Sequence, residues 1–335
     1  MTVSAWTLEE AADPAERSAG IVAALHAGAG DLVLARSGAY ELQALAAPAL
    51  VAQTPSRENV WLVSGGARGV TATCIRALAQ RQPDSAFLLA GRSALTDWPA
   101  DIPATEDISV LRSALISAAR QAGRTPSLPD IDRQARRLMG ASEIRETLRT
   151  VEAAGASAVY LAADVSDVSS VKAAVSRALK AYGPITGLVH GAGVLADGFA
   201  MQKTCSDLEY VFGPKVEGLL NLLDCLDIGS LRHIAMFSSA AGVFGNPGQS
   251  DYAMANAWLN SVARGLAISC PQAVVKSFCW GPWKGGMVDS ALAAHFTKRG
   301  ISLIDPEDGA RIFTDQILFG DRREVELVVG DEWTA

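Results

Sequence analysis

Tyr252 and Asn256 stand four residues apart in Ser250-Asp251-Tyr252-Ala253-Met254-Ala255-Asn256, a spacing that sets both on one face of a helix. Ser239 lies 13 residues before Tyr252, at the end of the apolar run His233–Ser239, and Lys215 lies further upstream in Pro214-Lys215-Val216-Glu217-Gly218. A phenol, an amide, a hydroxyl and an ammonium are what a carbonyl needs if a hydride donor sits beside them. The alkoxide that develops needs an acid. Tyr252 can be that acid, although an unperturbed phenol has a pKa of about 10. A nearby Lys215 ammonium would stabilise tyrosinate and ease proton donation. Ser239 is placed to hydrogen-bond the substrate oxygen as charge grows on it. Asn256 would orient Lys215 or a water that returns the proton. Each residue alone has a bland reading: a half-buried helix aromatic, a strand-end cap, a solvated lysine. All four at these spacings favour chemistry.

The hydride donor has its own signal. The apolar run from Val60 ends in Ser64-Gly65-Gly66-Ala67-Arg68-Gly69-Val70-Thr71. A glycine-rich turn between a strand and a helix lets backbone N–H groups approach a pyrophosphate, and the helix N-terminus favours its charge. The second strand ends in Gly91-Arg92-Ser93, with no acidic acceptor for a ribose hydroxyl. Arg68, Arg92 and Ser93 therefore favour the 2′-phosphate of NADP over NAD. Asp164, followed by Val165, ends the third strand and can accept from an adenine amino group or act as N-cap of the next helix, for which Asp167 is the stronger candidate.

The elements that must position these groups follow from periodicity. Seven apolar runs of strand length begin near residues 60, 86, 158, 187, 233, 273 and 325, with helix-period segments between them. The helices are expected over 71–81, 142–154, 168–181, 208–226, 251–268 and 306–319. Mostly continuous apolar strands with helical crossovers predict an α/β fold, a doubly wound parallel sheet of Rossmann type. The stretch 96–150 exceeds one crossover. It is expected to be a helical insertion, 96–121 and 129–140 around a turn, peripheral and away from Tyr252. The first 50 residues predict a helix over 14–26 and a hairpin over 31–46 packed on the main domain. A linker by composition follows, so the expected division is 1–55 and 56–335. The helix after Gly285-Gly286 is a candidate lid.

Composition narrows the classes. Twenty-nine Lys+Arg against 36 Asp+Glu give a net charge of −7, with no basic patch for nucleic acid. No apolar run approaches the ~18 residues of a membrane span, and the acidic, polar N-terminus lacks the pattern of a signal peptide. Five cysteines without a CxxC pair read as reduced, and four scattered histidines offer no metal-ligand spacing. These point to a cytoplasmic protein without a metal.

The ordered set of motifs resembles the short-chain dehydrogenase/reductase superfamily. Within it, the chain resembles the ketoreductase domain of type I polyketide synthases. Ordinary members carry Tyr-x-x-x-Lys with an Asn on the preceding helix; here Tyr252, Asn256 and Lys215 reproduce the exchanged arrangement of those ketoreductases. His190-Gly191-Ala192-Gly193-Val194 resembles their fourth-strand motif, and Trp280-Gly281-Pro282-Trp283 their turn after the sixth strand. The insertion, with Glu143–Leu148 at its end, resembles the polyunsaturated-fatty-acid and enediyne type. Residues 31–50 resemble the tail of the structural subdomain that precedes such domains, so the chain is expected to be a piece of a larger synthase.

The resemblance implies NADPH-dependent reduction of a β-ketoacyl thioester tethered to an acyl carrier protein, alongside other domains of a synthase. It adds His190, Gly191, Ala192, Gly193, Pro282 and Trp283 to the cofactor contacts, His190 more as packing than as a proton carrier. Trp280 and Trp283 can equally be core. It also implies stereocontrol. Asp197 stands where the B type carries its marking Asp, with Ala196 in place of the first Asp. Met236 stands where the A type carries Trp. Both point to a B-type enzyme and a D (3R) hydroxyl. A free-standing dehydrogenase of small alcohols and a non-catalytic structural domain are the alternatives.

Overall fold

The structure is a computed structural model that describes residues 59–285 and 301–330, and the strand backbone of residues 6–8, 32–35 and 38–41. Seven strands make one parallel sheet: β4 (Val60–Ser64), β5 (Ala86–Gly91), β6 (Ser157–Ala162), β7 (Gly187–His190), β8 (His233–Ser239), β9 (Val274–Trp280) and β10 (Glu326–Val329). Their order is β10-β9-β8-β7-β4-β5-β6, every neighbouring pair parallel. The predicted strands all form, to within three residues at each end.

Continuous apolar strands are needed because both faces are covered. Trp61, Val63, Phe87, Leu89 and Phe237 face one layer. It is formed by α1 (Gly69–Arg81), α3 (Leu128–Ala153) and α9 (Pro306–Phe319). Leu62, Leu88, Leu188, Ile234 and Met236 face the other. That layer holds α4 (Val168–Tyr182), α6 (Gly218–Cys225) and α8 (Ser250–Ser269). Successive residues alternate between two cores rather than between core and water. The strand order reverses between β4 and β7, which opens a crevice beyond their carboxyl ends.

The insertion is helical but differs from expectation in two ways. Helix α2 (Ile108–Gln121) begins at residue 108, because Pro99 and Pro103 interrupt the earlier stretch and Asp107 caps the start, its carboxylate accepting from Ser109 N at 2.7 Å. The expected segments 129–140 and 142–154 are one helix, α3, which runs through Gly140. A Cβ at Gly140 would come 2.8 Å from the Arg68 guanidinium, so the helix accepts a poor helix former there to admit that side chain. Helices α2 and α3 share a small core of their own, around Leu111, Leu115, Ile131 and Leu138.

At the N-terminus β2 (Leu32–Ala35) and β3 (Gly38–Glu41) form the expected hairpin, and β1 (Trp6–Leu8), which was not expected, pairs parallel to β2. The expected helix over 14–26, the linker and the lid after Gly285 lie outside the described residues, and the expected packing of the hairpin on the main domain rests on side chains outside them. No helix among the described residues is long and apolar enough to cross a membrane.

Candidate active site

Strand β8 carries Ser239 to the rim of the crevice, where its hydroxyl accepts from Ala241 N at 3.2 Å, at the start of the short helix α7 (Ala241–Phe244). Helix α8 brings Tyr252 in its first turn and Asn256 one turn later. Ser238 Oγ donates to Asn256 O at 3.2 Å, which pins α8 to β8. Asn256 is fully buried; its Nδ2 donates to Tyr252 O at 2.7 Å, while its Oδ1 makes no hydrogen bond to protein.

Lys215 reaches the same place from an unexpected element. The predicted helix 208–226 is split into α5 (Cys205–Phe212), a π-helical turn Gly213–Glu217, and α6. Pro214 has no N–H to give, so the tighter α pattern fails and the turn widens there. Lys215, 3% exposed, lies on that turn. Its Nζ donates to Phe237 O at 2.8 Å and lies 5.4 Å from the centroid of the Tyr252 ring.

His190 underlies this arrangement. It is buried, and desolvation together with the Lys215 charge pushes its pKa down to about 3, so the ring is neutral at physiological pH. A carbonyl can only accept, so His190 Nε2 donates to Lys215 O at 2.9 Å; its Nδ1 then accepts from Ser64 Oγ at 2.8 Å. Ser64 Oγ in turn accepts from Ala192 N at 3.4 Å. The chain of bonds ties the ends of β4 and β7 to the turn that bears Lys215. His190 thus acts as packing beneath the site, with no free nitrogen for proton transfer.

Burial lowers the Lys215 pKa to about 7. Burial also raises that of Tyr252; hydrogen bonds from Asn256 and Ser239 pull the other way, and the Asp197 carboxylate pushes up again. Desolvation outweighs the two hydrogen bonds, so the phenol is held above its ordinary range. Tyr252 is a fully protonated donor at neutral pH.

Beside this cluster runs a groove of about 230 Å³, bordered by Gly65, Ala67, Arg68, Arg92, Ser93, Val165, Ala192, Gly193 and Pro214. Its floor is built for close approach. Gly65 has φ +67°, and a Cβ there would meet Gly191 and Ala192 backbone at 2.8 Å. A Cβ on Gly66 would strike Val63, and one on Gly193 would come 2.9 Å from Lys215 Cε. Gly69 opens α1 with φ +61° and open space above it. These features fit a dinucleotide: a bare backbone turn, a helix N-terminus and two arginines.

Several groove residues were missed by sequence reading. Tyr160, which donates to Ser93 O at 2.7 Å, and Ile144 of the insertion both line it. Glu143 accepts from Gly69 N at 2.7 Å and pairs with Arg68 Nε at 3.0 Å. The insertion is thus not wholly peripheral: it lies along the β6 side of the sheet, yet touches the glycine turn. Only side chains brought together by folding could reveal this.

Other expected contacts stand elsewhere. Val70 packs partly buried against the core. The Asp164 carboxylate accepts from Ser166 N at 3.0 Å, so it serves a turn, and Asp167 is the N-cap of α4. The Trp283 ring is buried against Trp280, 4.9 Å between centroids, with Gly309 beneath it; it is core and not a groove wall, and Pro282 flanks it. Met236 is also corrected. It is wholly buried under the α8 layer and lines no cleft. Asp197 accepts from Gln249 Nε2 at 3.0 Å, in a loop close enough to Tyr252 to affect it.

The KR domain family matches residues 59–285 of the chain. A polyunsaturated fatty acid synthase of Thraustochytrium sp. is 38% identical over 285 residues, 82% of this chain and 10% of that protein. Polyketide synthase PksL of Bacillus subtilis is 34% identical over 168 residues, 49% of this chain and 4% of that protein. The chain spans a tenth or less of these relatives. The PlmKR1 ketoreductase from the first module of phoslactomycin biosynthesis in Streptomyces sp. HK803 superposes with a TM-score of 0.71 at 25% identity, covering 97% of this chain and 65% of that one.

Proposed function

Because the chain belongs to the KR domain family, we propose that it reduces the β-keto group of an acyl thioester, held on an acyl carrier protein, to a β-hydroxyacyl thioester with NADPH. One observation carries the reading: Ser239, Tyr252, Asn256 and Lys215, from three separate elements, converge beside a glycine-floored groove. The synthase relatives support a tethered acyl substrate and neighbouring synthase domains. Residues 56–335 are the catalytic domain in this reading, and 1–55 a partial structural subdomain.

The glycine turn, Arg68, Arg92 and Ser93 would hold NADPH, which supplies the hydride when bound. The chain's own residues do the rest. Ser239 and Tyr252 hold the ketone oxygen, and the Tyr252 hydroxyl gives it a proton as charge develops. Lys215 then steadies the tyrosinate across the ring face and through its field. Asn256 Oδ1, buried without a partner, is available to orient a water that restores the proton.

A β-ketoacyl-N-acetylcysteamine thioester should be reduced with loss of NADPH absorbance, one cofactor per hydroxyl formed. No turnover with thioesters of any length, by a folded chain that binds NADPH, overturns the proposal.

Arg68 and Arg92 decide the cofactor. Replacing both with Ala should weaken NADPH much more than NADH in a fluorescence titration, and equal losses would count against a 2′-phosphate site. Glu143 already occupies Arg68, so the 2′-phosphate must share or take that guanidinium.

For stereochemistry the B-type reading is kept on Asp197 alone, Met236 being core. Chiral chromatography should give mainly the 3R hydroxyl. A mainly 3S product refutes the assignment, since about 1.4 kcal/mol between two transition states already makes a tenfold ratio.

A further inference from the structure

Residues 191–199 belong to no helix or strand, yet they carry Asp197 to the mouth of the site. Something other than backbone ladders must hold them. Gly198 N donates to Gly248 O at 2.9 Å, and Gln249, itself held by Asn246, grips Asp197. The strongest tie is buried. Lys203 Nζ donates to the Ala196 carbonyl and pairs with Asp251 Oδ2 at 2.7 Å. The two charged side chains are only 12% and 4% exposed. The other Asp251 oxygen accepts from Tyr252 N at 2.9 Å.

The tie runs from the residue before Asp197 to the residue before Tyr252. Two charges removed from water hold together only with good geometry and further hydrogen bonds, and an apolar pair of similar volume would often serve stability as well. The ionic pair adds direction: its bonds fix the loop and the first turn of α8 at one distance. A loop free to shift by an ångström would change which side of the cleft admits the acyl chain, and misplacement on that scale is costly in positioned reactions.

We propose that Lys203, through its buried pair with Asp251, is a positioning residue that fixes the Asp197 loop against the catalytic helix and so sets the side from which the ketone approaches Tyr252. The proposal rests on the reading of the Asp197 loop as the stereochemical control.

The test uses Lys203→Met and the double variant Lys203→Met/Asp251→Asn, the latter leaving no unpaired carboxylate in the interior. Enantiomer ratio, kcat and KM are measured with the β-ketoacyl thioester, kcat alone with a small symmetric cyclic ketone, and NADPH affinity by fluorescence. The double variant should melt cooperatively and bind NADPH as the native chain does. Its enantiomer ratio should fall about tenfold and KM for the thioester should rise, while kcat on the symmetric ketone stays close to native. A cooperatively folded double variant with the native ratio and KM overturns the proposal. So does loss of kcat on both ketones with the ratio intact, which would assign Lys203 to Tyr252 alone. A racemate from the native chain removes the loop reading itself, and this proposal with it.

Discussion

Tyr252→Phe should bind NADPH with native affinity and reduce its ketone about 10²–10⁴-fold more slowly, the usual worth of a positioned acid. The change removes one oxygen and little volume. The ring keeps its place over Lys215, and Asn256 still holds the residue through its backbone carbonyl. Only the proton donor is missing. Stopped-flow measurement of cofactor binding, alongside steady-state turnover, separates the two effects. Near-native turnover would remove Tyr252 from the chemistry.

Lys215→Met should lower turnover by about 10²-fold, the scale of one electrostatic contact made to developing charge, and should also change how stability depends on pH. Burial holds Lys215 at about 7 in the folded chain against 10.5 when exposed. Between those values the unfolded chain carries a proton that the folded chain has shed. Native stability therefore climbs as pH rises from about 7 towards 10.5, by up to about 1.4 kcal/mol per unit from this group. Below pH 7 both states are protonated and the cost of burying the charge is constant. The Met variant lacks that slope, so it should exceed native stability at pH 6 and lose the advantage as pH rises. Lys276, also buried, with its pKa lowered to about 8 and its ammonium on the Asp321 and Glu324 carbonyls, has the same sign in both chains and cancels in the difference. Native turnover should fall as pH rises through about 7 and the ammonium is lost. Urea titrations at pH 6, 8 and 9.5 check the first effect and a kcat profile the second. A parallel stability profile for the two chains would mean that Lys215 is not held near 7.

Much of this was legible because short-range physics fixes it. Seven apolar runs with glycine or polar ends, and helices of ordinary length between them, leave few topologies once crossovers must be short and right-handed. The sheet, the glycine turn at Gly65 and the pairing of Tyr252 with Asn256 on one helix face followed from spacing alone, and the structure has each of them. Caps were legible for the same reason, as at Asp167.

What depended on distant partners was not. Gly140 reads as a break, yet α3 runs through it, and the space a Cβ would take there holds the guanidinium of Arg68, 72 residues earlier. Trp283 and Met236 are apolar residues in motif positions, and only the assembled layers show that both are core. The raised Tyr252 and the lowered Lys215 are consequences of burial, which no local pattern states. Glu143 at the glycine turn and Lys203 between the Asp197 loop and α8 are charges whose partners lie 74 and 48 residues away. Spacing along the chain told which groups exist and on which face of which element they stand. Folding in three dimensions settled which of them meet and how much water is left around them, because pairing and desolvation are properties of positions in space.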